Sequence, residues 1–150
     1  MKIAIGGDHA SVYIKKTIIE ALEQDGHNVV DLGTYTSESV DYPDYGQMVA
    51  ETVASGDAER GIAICGTGIG ISISANKVKG IRCALCSDVF SAKATRLHND
   101  SNVLALGERT VGVGLALEIV HAWIETPFSG DERHAKRVGK ISAIEEKYFK

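Results

Sequence analysis

Four short stretches of the chain carry side chains suited to chemistry. The densest is Cys65-Gly66-Thr67-Gly68-Ile69-Gly70. Glycines at alternate positions let the backbone approach a ligand closely and aim N–H groups at an anion. The glycines fall at 66, 68 and 70, which is not the dinucleotide pattern GxGxxG, and no Gly-Lys-Ser/Thr follows to make a P-loop. A plain tight turn would use the same residues. Cys65 stands just ahead of this turn, and Thr67 can hydrogen-bond it. Thiols at helix N-termini hold more thiolate than free ones, whereas a lone buried thiol is more often inert. A tyrosine phosphatase is excluded, because the arginine it needs six residues after the cysteine is here Ile71.

Asp8 and His9 follow Gly7 and can bind ligand hydroxyls or phosphate; equally, Asp8 can cap a helix and leave His9 in solvent. His98 stands beside Asn99. Histidine is the side chain best suited to proton transfer near neutral pH, and it also suits the negative end of a helix. Arg133 and Arg137 lie one helical turn apart in a cluster with Lys136 and Lys140. Two forked guanidiniums on one face match a phosphate group; a solvated basic face is the plainer reading. Cys83 and Cys86 spell C-x-x-C but fall inside a predicted strand. An offset of three puts them on opposite faces, about 10 Å apart and beyond disulfide reach. They read as core residues, and no spacing in the chain makes a metal site.

Those side chains need a scaffold, and the apolar periodicity supplies one. Strands are expected over Lys2–Gly7, His27–Leu32, Gly61–Cys65, Ile81–Cys86 and Asn102–Leu106. Helices alternate with them over Ser11–Gln24, Asp44–Ser55, Ile71–Lys79, Asp88–His98 and Val113–Thr126, with Asp88 as an N-cap. A polar loop, residues 34–43, follows the second strand; its length suggests function. Alternating strands and helices mean βαβ units and a parallel sheet. The expectation is one α/β domain over residues 1–150, three layers deep, with a five-stranded parallel sheet whose ligands sit at the carboxyl ends of the strands. Residues 129–150 are polar and then amphipathic through Val138, Ile141, Ile144 and Tyr148. No strand follows them, so this segment is expected to pack on a partner subunit.

Composition narrows the functional classes. The chain has 150 residues, 44% hydrophobic and 24% charged, which suits one globular domain. A net charge of −4 argues against a general nucleic-acid binder, and three cysteines form no disulfide framework. The start, MKIAIGGDHA, holds too short an apolar stretch for a signal peptide, and no run approaches the roughly 20 apolar residues of a membrane span. A cytoplasmic location is expected.

Taken together, GGDHA, DYPDYG, ICGTGIGISISANK, SAKATRLHNDSNVLALGERTVG and RHAKRV resemble ribose-5-phosphate isomerase type B, in the same order over nearly the whole chain. The resemblance implies a Rossmann-like α/β/α fold. It also implies dimers, sometimes pairs of dimers, with active sites shared between subunits and neither metal nor cofactor. It assigns Cys65 as the base that moves a proton between C2 and C1, with Thr67 beside it and the amides of Gly66, Gly68 and Gly70 on the enediolate. His98 matches the residue that opens the sugar ring. Asp8, Tyr42 and Asn99 match residues that bind substrate oxygens. His9 and Arg109 match phosphate ligands from one subunit, Arg133 and Arg137 those from its neighbour. Some members place a Glu at the position of Ile71 as base; this chain resembles the Cys type. The implied activity is interconversion of D-ribose 5-phosphate and D-ribulose 5-phosphate. Alternatives are an allose or galactose 6-phosphate isomerase, and a non-catalytic sugar-phosphate-binding module.

Overall fold

The computed structural model describes all 150 residues. In chain order the elements are β1 (Lys2–Gly7), a single 3-10 turn (His9–Ser11), α1 (Val12–Gln24), β2 (Asn28–Asp31), α2 (Tyr42–Ala54) and β3 (Arg60–Cys65). Then come α3 (Ile69–Ala75), β4 (Cys83–Leu85), α4 (Val89–Asn99), β5 (Val103–Gly107), α5 (Val113–Glu125) and α6 (Glu132–Tyr148). All strand pairs are parallel and the sheet order is β2-β1-β3-β5-β4. The expected five-stranded, three-layer α/β architecture is the one observed.

Side-chain size differs between the two faces of the sheet. Ile3, Ile5, Ile62, Ile64, Leu104 and Leu106 point to one side and pack with α1, α4 and α5 around the fully buried Trp123. The alternate positions Ala4, Ala63, Val103 and Ala105 face α2 and α3. Strand residues two apart share a face, so this alternation of large and small sets one thick and one thin helical layer. The thin layer is close-packed: a Cβ on Gly61 would lie 2.6 Å from Cγ1 of Val49 on α2.

Three elements depart from expectation by two residues or more at one end at least, each for a local reason. α2 begins at Tyr42, because Pro43 occupies the first helical turn, where its missing N–H costs nothing. The preceding loop therefore ends at Asp41, and Tyr42 is a helical residue. α3 begins at Ile69 and stops at Ala75. Beyond it, the Asn76 side chain donates to the Cys83 carbonyl at 2.9 Å and accepts its N–H at 2.8 Å, tying the connector to β4 instead of prolonging the helix. β4 is an edge strand that pairs only with β5, and it shrinks to three residues.

α6 docks on its own chain. His134 is its one buried residue and stacks on His98 of α4, while Glu145 accepts the Gly80 N–H at 2.8 Å. Ile141, Ile144 and Tyr148 of this helix are exposed.

Candidate active site

The chemistry-bearing residues separate into two groups. The first lies at the carboxyl ends of the central strands, where Gly7 pairs with Ile64, and Cys65 with Gly107. Cys65 closes β3 at 4% exposure, and its sulfur accepts the Gly68 N–H at 3.2 Å. Thr67 does not bond the thiol: its Oγ1 accepts the Ile69 N–H at 3.3 Å, and its side chain is exposed. Gly68 has φ +76°, and a Cβ there would lie 2.8 Å from the Leu106 carbonyl carbon. Only glycine lets the chain turn at that point and bring an amide back onto the sulfur.

Neighbouring side chains close over the same turn. Arg109 lies along Gly66, and its own N–H donates to the Gly66 carbonyl at 2.8 Å. The Tyr42 ring covers Gly70 so closely that a Cβ would fall 2.5 Å from its carbons. Asp8, 7% exposed, accepts the Ala10 N–H at 3.0 Å and so caps the 3-10 turn, while its own N–H donates to the Ile64 carbonyl. His9 Nδ1 accepts the Val40 N–H at 3.1 Å, which leaves Nε2 as the protonated nitrogen of the neutral ring. Cys65, Gly66, Thr67, Gly68, Gly70, Asp8, His9, Tyr42 and Arg109 thus belong to one end of the sheet.

The second group lies elsewhere. His98 and Asn99 end α4, and Arg133, His134 and Arg137 rise from the start of α6; together they line a polar cavity of about 370 Å³. The His98 and His134 rings stand 4.5 Å apart, tilted by 38°. Ser129 Oγ meets His134 Nδ1 at 2.7 Å, and the Ser129 N–H donates to the Leu97 carbonyl at 3.3 Å. Burial, the His98 ring and the Arg133 guanidinium hold His134 below the usual histidine range, against the opposing pull of Asp131. His134 was not singled out among the site residues in the sequence. Its place one turn before Arg137 and next to Arg133 was the available signal.

Topology sets the two groups apart. α4 starts beyond the carboxyl end of β4 and runs back, so its last turn lies at the amino ends of the strands. Arg82, just before β4, donates to the Asn99 and Asp100 carbonyls at 3.0 and 3.1 Å and fixes that end. Cys65 and His98 are thus separated by at least the length of β5, roughly 13 Å at the ordinary strand rise. Within one chain, His98 and Asn99 therefore do not meet Cys65 at the carboxyl ends of the strands. Arg133 and Arg137 share a cavity with His98 and Asn99 of their own subunit.

Cys83 and Cys86 behave as expected of core residues. Cys83 packs toward α2 and α3, Cys86 on the opposite face, and burial pushes their thiols up to about 12 and about 11. Two buried cations, Lys15 and Arg96, carry no signal in the local sequence. Lys15 donates to Asp31 at 2.6 Å and to the Thr34 carbonyl at 2.7 Å, anchoring the start of the loop that carries Val40 to His9. No three His, Cys, Asp or Glu side chains converge on a possible metal position, and no helix is long and apolar enough to cross a membrane.

The molecule is a doubly wound parallel α/β protein with a thiol and a glycine-rich turn at one end of its sheet and an arginine pair at the other. Comparison with known proteins places it among the sugar-phosphate isomerases. Residues 3–141 match the family model for Ribose/Galactose Isomerase. Ribose-5-phosphate isomerase B of Escherichia coli (strain K12) is 50% identical, over 97% of each chain. The galactose-6-phosphate isomerase subunit LacB of Clostridium acetobutylicum is 42% identical, over 96% of this chain and 83% of its own. The solved structure of Clostridium thermocellum ribose-5-phosphate isomerase B superposes with a TM-score of 0.96 at 57% identity, covering 99% of both chains. The chain belongs to the ribose/galactose isomerase family.

Proposed function

We propose that the protein interconverts D-ribose 5-phosphate and D-ribulose 5-phosphate at sites shared by two copies of the chain. The observation that carries this reading is the separation of the two groups: neither end of one subunit holds both a base for enolisation and the His98–arginine cavity. A second copy whose α4–α6 end faces the strand mouth completes the set. Exposed Ile69, Leu85 and Phe90 stand at the strand-mouth end, and exposed Ile141, Ile144 and Tyr148 lie on α6. Apolar surface of this kind suits burial between copies, as a homodimer or a dimer of dimers.

The roles follow from the chemistry. Arg133 and Arg137 of one subunit, with His9 and Arg109 of the other, grip the phosphate. That remote binding energy positions the sugar. Asp8, Tyr42 and Asn99 bind its hydroxyls. His98 passes a proton from O1 to O4 and opens the furanose. Cys65, as thiolate, takes the proton from C2 and returns it to C1. The Gly66–Gly70 amides, with Thr67 beside them, stabilise the enediolate; each such donor is worth about 3 kcal/mol. No step asks for a metal or cofactor, so EDTA should leave the rate unchanged.

Two proteins named ribose-5-phosphate isomerase B share 50% and 57% identity with the chain, against 42% for the galactose-6-phosphate isomerase subunit, and this supports ribose as the sugar. The deciding experiment assays ketose formation from ribose 5-phosphate, allose 6-phosphate and galactose 6-phosphate in parallel. Highest kcat/KM on ribose 5-phosphate is expected. A hexose phosphate ranking first would overturn the substrate, and binding without turnover of any would leave only a binding module.

A further inference from the structure

We propose that His134 is a positioning residue for ring opening: packed between Ser129 and His98, it holds the His98 imidazole in the orientation that transfers a proton between the sugar's O1 and O4. The inference rests on the functional reading above and deepens it.

A chain of contacts ties His98 to the body of the protein. The Ser129 N–H is donated to the Leu97 carbonyl, beside His98 itself. Its hydroxyl meets His134 Nδ1 at 2.7 Å. The His134 ring, 5% exposed, then lies against His98 with centroids 4.5 Å apart. An imidazole on the last turn of a helix would otherwise turn about two side-chain torsions. Here one face is covered by a ring whose own rotation is stopped by a hydrogen bond. Burial of a polar ring on an otherwise exposed helix needs a reason, and α6 buries no other residue.

The charge state of His134 fits the same role. The charged groups around it are His98 on α4, Arg133 and Arg137 on its own helix, and Asp131, with Oδ2 3.9 Å from Nδ1. Burial and the three cationic or basic neighbours outweigh Asp131 and lower its affinity for a proton. A neutral ring can remain against His98 while His98 is transiently protonated; an imidazolium would repel it. In the step itself His98 accepts the proton of O1–H as C1=O1 forms. The C1–O4 bond breaks with its electron pair on O4, and His98 returns a proton there.

The test compares two reactions that differ in this step. Ribose 5-phosphate enters as a ring. Ribulose 5-phosphate has its 5-oxygen esterified and cannot close a furanose, so exchange of its C1 hydrogen with D2O, followed by NMR, reports enolisation without ring opening. In His134→Asn the amide keeps a partner for Ser129 but removes the ring. We expect kcat on ribose 5-phosphate to fall about tenfold to a hundredfold, with KM and the C1 exchange rate within about twofold of wild type. Equal loss in both reactions, or loss in neither, overturns the proposal. Should His134→Asn not fold by circular dichroism, Ser129→Ala is read by the same criteria. His98→Asn is measured alongside. If it too shows no selective loss, the ring-opening assignment fails and the inference with it; if His98→Asn is selective and His134→Asn is not, only the inference fails.

Discussion

Around Cys65 the polar partners are backbone groups fixed by three adjacent strands, whereas around His98 they are side chains borne on the ends of two helices. The strand mouth tolerates little: Gly68 abuts β5 and Gly70 abuts Tyr42. The helix-end cavity is open, with Arg133 and Arg137 exposed and only His134 buried. The contrast fits the two tasks assigned to them. Stabilising a developing oxyanion requires donors that do not reorganise, and a sheet holds backbone amides more rigidly than any long side chain. Gripping a phosphate requires reach and charge, which arginines on a peripheral helix supply.

The largest test of this division is Cys65→Ala. It should lower isomerisation by about 10²–10⁴-fold, the usual worth of a positioned base, while sugar-phosphate binding measured by calorimetry persists. Retention of more than a tenth of wild-type kcat would point to another base.

Mixing inactive variants tests whether the two regions act across a subunit boundary. Cys65→Ala is paired with Arg133→Ala/Arg137→Ala, and in a second mixture with His98→Asn. After subunit exchange each heterodimer carries one intact site, so both mixtures should recover roughly a quarter of wild-type activity, half the dimers being mixed. The structure puts His98 in the same complementation group as the arginines; Arg133→Ala/Arg137→Ala mixed with His98→Asn should therefore recover nothing. Absence of recovery in the first two mixtures, with heterodimers confirmed by mass spectrometry, would return the arginines and His98 to their own chain's Cys65.

A smaller effect separates the regions by rigidity. Gly68→Ala puts a methyl against β5 backbone at a positive φ, and should cost about 1–3 kcal/mol in denaturant unfolding as well as activity. Arg137→Ala should leave stability within about 0.5 kcal/mol and appear instead as a raised KM. If the two variants behave alike, the contrast between a rigid mouth and an open cavity is wrong.

The smallest effect is in the pH dependence of stability. His134 in the folded chain is held below its ordinary value of 6.5, by burial first and then by His98 and Arg133. A depressed pKa means the unfolded state binds the proton first. Its contribution is therefore intact above pH 6.5 and is lost as the pH falls below that value toward the folded pKa. The urea midpoint of wild type should decline over that window more steeply than that of His134→Asn; parallel curves would show that His134 is not coupled to folding.

Much of the fold was legible in local pattern. β1 occupies the span expected from its apolar run closed by Gly6-Gly7, and α1 and α5 match to within one residue at each end. Periodicities of 2 and 3.6 and the punctuation of glycines are short-range signals, written in consecutive residues. Cys65 ahead of its glycine turn was visible for the same reason, as was the i, i+4 spacing of Arg133 and Arg137. The C-x-x-C pair reads as core from strand spacing and from the lack of a second cysteine pair; the two thiols do face opposite sides of the sheet, with Cys86 one residue beyond the end of β4. Family resemblance, not spacing, brought Tyr42 and Arg109 into the site, and the structure explains their places by close approach to Gly70 and Gly66.

The tertiary structure decided what depends on contacts distant in sequence. Sheet order β2-β1-β3-β5-β4 is a matter of which strands meet, which no window of sequence contains. It made Cys65 and Gly107 neighbours and brought Arg109 onto Gly66. The direction of α4 follows from any βαβ crossover, but that α6 returns to the same end, stacks His134 on His98 and shares its cavity was settled by packing between helices more than 30 residues apart. Sequence by itself determined the chemical parts and the elements that bear them, because both are written locally. The return of α6 to the end where His98 lies, which gathers the arginines and His98 in one cavity, is a property of three-dimensional packing, since only the folded chain makes that contact.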